Sequence, residues 1–286
     1  MKTEKISLVL AGTGSFSKSI FEALLKDDRF IIKALISQPN NKLDRNKKPI
    51  ETEVAKLAKE NNILLYQPNK IKEIYEELSN LDFDFFITAS FGQFIPNSIL
   101  KLPKVMPLNV HGSLLEKYRG AAPIQYALLN DDKKTGITLI EMIDKMDAGN
   151  MYGKAEVEIL ETDTALELFD KLAKATIENL GNWISEIKEN KATYQIQDES
   201  KVTLAPKISN EEAELFLEMN AQEALNKIRA FNDQPGAYIM LNNKRLKIYR
   251  ATKNKVAVPL NIKFKDQKLY LLEYQFEGKK KVSHEF

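Results

Sequence analysis

The stretch NVHGSLLEKYRGAAP gathers Asn109, His111, Ser113 and Arg119 into one short segment behind an apolar run. Histidine is the side chain whose ordinary titration lies near neutrality, which makes His111 a candidate for proton transfer. Asn109 offers both a hydrogen-bond donor and an acceptor. Such a pair could polarise a carbonyl and carry a proton away from an attacking group. An imidazole used in this way needs a third group to fix its tautomer and stabilise its charged form. The candidates are Asp144 and Asp147 in IDKMDAGNMY, directly after the apolar run GITLIEMI, and spacing alone leaves the choice open. The chain holds two histidines and no cysteine. That excludes disulfides and thiol catalysis, and it argues against a zinc centre built from His and Cys. The second histidine, His284, falls in a polar C-terminal stretch read as a fraying tail. No metal site is expected.

Something must hold these residues in place, and the flanking patterns say what. ISLVLAG, FIIKALIS, ILLY, FDFFITAS, VMPLNV and GITLIEMI read as short apolar strands. Between them SKSIFEALLKDD, IETEVAKLAKENN, NKIKEIYEELSN, the short PNSILKLP and AAPIQYALLND read as helices. Repeated alternation of strand and helix predicts an α/β fold, a mainly parallel Rossmann-like sheet with helices on both faces. Ligands of such sheets bind beyond the carboxyl ends of the strands, where Asn109 and His111 fall. A long helical repeat from Asp163 to Asn190 closes this first domain, assigned to residues 1–190. Residues 191–208 break the rhythm, contain Pro206, and are read as a linker. Residues 209–286 form a second, smaller domain. EEAELFL and AQEALNKIRAF read there as helices, and YIML, RLKIYRA, VPLNIKF and KLYLLEY as strands, so the domain is β-rich and OB-like.

The charge is uneven. From Leu241 onward there are 12 Lys and Arg against four Asp and Glu, a net of +8, while the rest of the chain carries 30 against 36, a net of −6. A basic end on an acidic body points to a polyanion, nucleic acid first. GTGSFS, after the first strand, looks like a dinucleotide-binding turn but lacks the third glycine, and the second strand ends without the acidic residue that grips a ribose. It is read as a tight strand-to-helix turn, and NAD is not supported. No signal peptide and no membrane-spanning run is present in the sequence, so a soluble, cytoplasmic chain is expected.

NVHGSLLEKYRGAAPIQYALLN followed by TGITLIEMIDKMDAGNMY closely resembles the folate-dependent formyltransferases. LAGTGSFS, ISQPNNKLDRNKKPIETEVAKLA, FGQFIP and IRAFNDQPGA extend the likeness along nearly the whole chain. The resemblance implies a catalytic trio of Asn109, His111 and Asp147, the aspartate being chosen because the family's pattern is an Asp shortly before a glycine, as in DAG. It implies folate contacts at Ser113, Leu114, Leu115 and Glu116, at Phe91 and Gly92 of FGQFIP, and at Asp144. Two positions depart from the family, which usually has proline where Glu116 and Gly14 stand.

The resemblance further implies 10-formyltetrahydrofolate as co-substrate, with no metal, and the α-amine of methionine on initiator tRNA as acceptor. Lys42, Arg45, Lys47 and Lys48 in the basic loop NNKLDRNKK, with Arg245 and Lys247 in the second domain, are the expected RNA contacts. A monomer is expected. The nearest alternative is a sugar-nucleotide N-formyltransferase, which has little use for a +8 C-terminal region. A formyl-folate hydrolase and a non-catalytic RNA- or folate-binding module stand further off.

Overall fold

A computed structural model describes residues 4–41, 43, 46–241 and 243–284. Its strands are β1 (Ile6–Gly12), β2 (Phe30–Ile36), β3 (Leu65–Tyr66), β4 (Phe85–Ala89), β5 (Met106–His111), β6 (Lys134–Glu141), β7 (Met151–Glu158), β8 (Tyr238–Leu241), β9 (Lys244–Thr252), β10 (Asn261–Lys263), β11 (Lys268–Phe276) and β12 (Val282–Ser283). Its helices are α1 (Ser15–Lys26), α2 (Glu53–Glu60), α3 (Tyr75–Ser79), α4 (Asn97–Leu100), α5 (Pro123–Leu129), α6 (Ala165–Lys188) and α7 (Ala221–Ala230).

The first seven strands form one sheet in the order β3-β2-β1-β4-β5-β6-β7. The pairs from β3 to β5 are parallel, and β6 runs antiparallel to β5. Every residue of β1 and of β4 is buried, as expected of central parallel strands covered on both faces. Val9, Ala11, Ile36, Phe86 and Phe91 belong to one core cluster on this sheet. Because β1 lies between β2 and β4, strand order reverses there, and the carboxyl ends of β1, β4 and β5 border the crevice where such sheets take ligands. The GTGSFS turn is a structural tie. Ser17 Oγ, at the start of α1, donates to Ala89 O at 2.5 Å, and Thr13 Oγ1 donates to Phe91 O at 3.2 Å.

Local signals set the helix starts. Thr52 caps α2, its side chain accepting from the Ala55 N–H. At α6, Glu167 reaches back to the Thr164 N–H at 2.8 Å, half of a capping box. The polar strand β7 has no strong apolar alternation, so the sequence reading missed it; Gly153 lies so close to the Trp183 ring that a Cβ would come within 2.4 Å.

The chain divides into two compact units. One is Met1–Ala121, Gly136–Val157 and Asp170–Leu204; the other is Ala122–Thr135, Glu158–Phe169 and Ala205–Phe286. Residues 191–204 are bound into the first unit, with Gln195 paired to Met151 by two 2.9 Å backbone bonds, rather than forming a free linker. In the second unit α5 packs on α7, and Asn226 of α7 donates to Leu129 O. Arg229, also on α7, donates to Asp163 O and Leu160 O, each at 2.7 Å. Those bonds draw 122–135 and 158–169 into that unit.

The second unit carries the antiparallel, OB-like sheet β10-β11-β9-β8, with β12 beside β11. Two expectations are corrected here. EEAELFL does not form a helix beyond a single 3-10 turn at Glu211–Ala213, because Glu214 turns extended and the Leu215 N–H donates to Tyr238 O at 2.7 Å. His284 is not in a fraying tail: its N–H donates to Leu272 O at 2.9 Å and its ring lies 6.0 Å from that of Tyr274. No helix among the described residues is long and apolar enough to cross a membrane.

Candidate active site

Parallel pairing sets Thr88 of β4 beside Asn109 of β5, and antiparallel pairing sets Thr138 of β6 beside His111. The side chains follow that register. Thr88 Oγ1 donates to Asn109 Oδ1 at 2.7 Å, which leaves the Asn109 amide N–H groups to point elsewhere. One of them reaches Asp147 Oδ1 at 3.3 Å. Of the two candidate aspartates, Asp147 is the one at the histidine, with Oδ2 3.6 Å from His111 Nδ1. Asp144 is exposed on the same loop. Asp147 has φ +50°, in the left-handed region that aspartate tolerates better than most residues. Its Oδ2 also accepts the Gly120 N–H at 2.9 Å.

The histidine is only 4% exposed, and its other nitrogen, Nε2, lies 2.9 Å from Tyr118 O. A carbonyl can only accept, so Nε2 carries the hydrogen and Nδ1 is the nitrogen left facing Asp147. This corrects the sequence expectation that an aspartate would fix the tautomer. A backbone carbonyl fixes it, and the carboxylate sits at the other ring nitrogen, Nδ1. Sequence reasoning had no signal for a backbone group whose direction depends on Tyr118 adopting φ +65°.

The residues expected to touch folate divide into two kinds. Ser113 and Leu115 are buried: Ser113 Oγ donates to Lys117 O at 2.6 Å, and the Leu115 N–H donates to Thr138 Oγ1 at 3.2 Å. They shape the loop from inside. Leu114 and Glu116 are half-buried. Glu116, standing where the family usually has proline, accepts the Asp198 N–H at 2.7 Å, so its carboxylate is docked on the 195–203 segment. Phe91 is buried with its carbonyl bonded by Thr13 and Gln38, whereas Gly92 is exposed at φ +79°, a conformation that favours glycine.

That 195–203 segment was missed by sequence reasoning. Gln197 bonds the carbonyls of Asp147 and Gly149, and Thr203 Oγ1 accepts the Tyr118 N–H at 2.9 Å. Arg119, 4% exposed, donates to Gln197 and to Glu199. Hydrogen bonds from Arg119 and Lys145 hold the Glu199 carboxyl down at about 2.

The expected RNA contacts are more scattered. Lys42 and Arg45 lie outside the described residues, and Lys47 and Lys48 are exposed. On the second unit's sheet the exposed Arg245 guanidinium stacks 4.1 Å over the Tyr238 ring. The Lys247 amine donates to Pro235 O at 2.9 Å, and Lys281 stands 4.6 Å over Tyr249. Part of the C-terminal charge is neutralised within the unit, since Arg250 pairs with Glu167 and Glu273, and Lys281 with Glu273. Among the described residues no three His, Asp or Glu are grouped as a metal site.

Residues 4–183 match the family described as formyl transferase, and residues 207–286 match formyl transferase, C-terminal domain. The methionyl-tRNA formyltransferase of Mycoplasmopsis pulmonis is 46% identical over 282 residues, covering 98% of this chain and 97% of its own. Two solved structures share the fold. An N-formyltransferase from Helicobacter canadensis, in complex with folinic acid and dTDP-3-aminofucose, has a TM-score of 0.68 at 20% identity, over 98% of this chain and all of its own. A methionyl-tRNA formyltransferase from Clostridium thermocellum has a TM-score of 0.62 at 20% identity, over 87% of this chain and 94% of its own. On the matched residues and the near full-length identity, this chain belongs to the formyl transferase family.

Proposed function

We propose that this chain transfers the formyl group of 10-formyltetrahydrofolate to the α-amine of methionyl initiator tRNA, acting as a cytoplasmic monomer in translation initiation. The observation that carries the reading is the convergence of an amide, an imidazole and a carboxylate, Asn109, His111 and Asp147, at one strand end. The acceptor follows from the curated relative named for that activity, 46% identical over almost the whole chain.

The donor set fits a formyl group carried by folate. A neutral N–H donor stands beside a buried imidazole, and Gly92, Leu114, Glu116 and Asp144 offer backbone and carboxylate groups that are not fully buried around them. When bound, the folate supplies an activated formyl carbon. Asn109 is assigned to donate an amide N–H to the formyl oxygen as negative charge develops, and Thr88 keeps that amide facing the right way. With Nε2–H committed to Tyr118 O, His111 exchanges protons through Nδ1. One proton leaves the attacking amine and one arrives at the departing folate nitrogen, so a single nitrogen that accepts and returns a proton balances the transfer. Asp147 steadies the charged imidazole between those events. Lys42, Arg45, Lys47, Lys48, Arg245 and Lys247 are assigned to the tRNA phosphates, which contribute affinity rather than sequence information.

The test is formyl transfer from 10-formyltetrahydrofolate to methionyl initiator tRNA, with an amino-sugar nucleotide as competing acceptor. Formylation of the tRNA alone is expected. Formylation of the sugar alone would keep the roles of the trio and overturn the acceptor; the Helicobacter canadensis relative, solved with such a sugar nucleotide, makes that arm necessary.

A further inference from the structure

Asp147 works only if its carboxylate stays where it meets His111 and Asn109, yet it sits on a loop in a left-handed conformation. Asp147 and Gly149 turn their carbonyls toward Gln197, whose amide donates to both at 2.8 Å. The same side chain accepts Arg119 Nε through its Oε1 at 2.9 Å. Gln197 is 7% exposed, and its two N–H groups and its oxygen are all committed to these protein partners. Arg119 is itself anchored, by Glu199 at 2.9 Å and by its own N–H on Thr203 O at 2.9 Å. Gly149 cannot yield on the far side. Its backbone presses so close to Glu141 O that a Cβ would lie 1.9 Å away.

We infer that Gln197 is a positioning residue for the reaction, a clamp that fixes the peptide planes of residues 147 and 149 and through them the Asp147 carboxylate. A glutamine suits the task because one amide group supplies two donors to the loop and one acceptor to Arg119. The same segment steadies the other side of the imidazole. Thr203 holds Tyr118, whose carbonyl takes the His111 Nε2–H. The segment that sequence composition marks as a linker thus carries part of the active-site scaffold. The inference rests on the reading of Asp147 as a member of the catalytic trio.

The test uses two variants of the full chain. Gln197→Glu keeps an acceptor for Arg119 and removes both donors; Gln197→Met removes all three bonds at similar length. Both are expected to lower kcat by roughly 10- to 100-fold, the scale of a small misplacement in a catalytic site, with KM for methionyl-tRNA changed by less than about twofold. In an Asp147→Asn background, adding Gln197→Glu should cost less than about twofold more, because two residues acting through one group do not add. The chain's two histidines give a readout independent of activity. The His111 ring proton signals should move in both variants while those of His284 stay. Wild-type kcat, losses that multiply in the Asp147→Asn background, or unmoved His111 signals would each overturn the inference. Signals that move in a chain that formylates no tRNA would keep the clamp and overturn the functional reading instead.

Discussion

Around His111 the side chains of Thr88, Asn109, Asp147 and Gln197 are all bonded to protein groups, whereas Arg245, Lys47 and Lys48 stand at the surface. Thr88, Asn109, Asp147, Gly120, Tyr118 and Gln197 form a chain of bonds mostly between 2.7 and 3.3 Å, sealed from solvent at its centre. Arg245 is held over an aromatic face and Lys47 is exposed. The difference suits two kinds of charge. A charge that appears for an instant on one oxygen must meet donors already in place. A phosphate backbone is permanently charged and repetitive, and surface cations meet it by releasing counterions. The two regions should therefore fail differently when altered, one in rate and the other in salt dependence.

The sharpest break in that comparison is His111→Ala. Loss of proton transfer should lower kcat by roughly 100- to 10,000-fold, with tRNA affinity and its salt slope unchanged. Single-turnover formylation beside a filter-binding titration reads both. A near-normal rate would remove the histidine from the chemistry, and an altered salt slope would merge the two regions.

Gly149→Ala probes the same site through its backbone. The new methyl would lie 1.9 Å from Glu141 O, so the loop carrying Asp147 must shift. Overpacking of this kind costs about 1–3 kcal/mol of stability, and the displaced carboxylate should cost up to roughly 100-fold in kcat. Thermal unfolding and turnover measured together separate the two effects; unchanged turnover in a destabilised protein would show that the loop relaxes without moving Asp147. Thr88→Val is milder. It keeps the shape and removes the 2.7 Å bond that orients Asn109. One hydrogen bond of typical net worth corresponds to a loss of up to about tenfold, restored by Thr88→Ser. Full activity in Thr88→Val would mean that Asp147 alone orients the amide.

How much of this was legible beforehand follows the same division. Strand and helix alternation revealed the sheet, since β1, β4 and β5 are apolar runs whose burial leaves them little choice. The spacing of Asn109 and His111 at a strand end marked the two side chains that Asp147 meets in the structure. Spacing left the two aspartates equal, and only the family resemblance chose Asp147, because the distance that separates them depends on the turn at Lys145–Asp147, which no periodicity encodes. The clamp was invisible for a related reason. Gln197 lies in a segment of mixed polar residues that resembles any linker until its partners, 50 and 78 residues away, fold against it. EEAELFL failed in the opposite direction, its helical pattern overridden when Leu215 bonded the edge of β8.

The smallest effects belong to the basic region, and they discriminate best. Replacing Lys42, Arg45, Lys47 and Lys48 together by glutamine should weaken tRNA binding and flatten the salt dependence. Every phosphate left without its cation should lower the slope by roughly 0.7–0.9, with kcat at saturating tRNA unaltered. A single change at Lys247 should do less than one at Arg245, because the Lys247 amine is already bonded to Pro235 O while the Arg245 guanidinium, stacked on the Tyr238 ring, is exposed. Arg245→Lys separates charge from stacking. If phosphate attraction is what Arg245 contributes, the slope stays and affinity falls by less than about fivefold, in keeping with a surface cation–π pair worth roughly 0.5–1 kcal/mol. If the slope falls as well, the flat guanidinium and its Tyr238 support are themselves part of the phosphate site, and this corner of the sheet is preorganised in the manner of the His111 cluster.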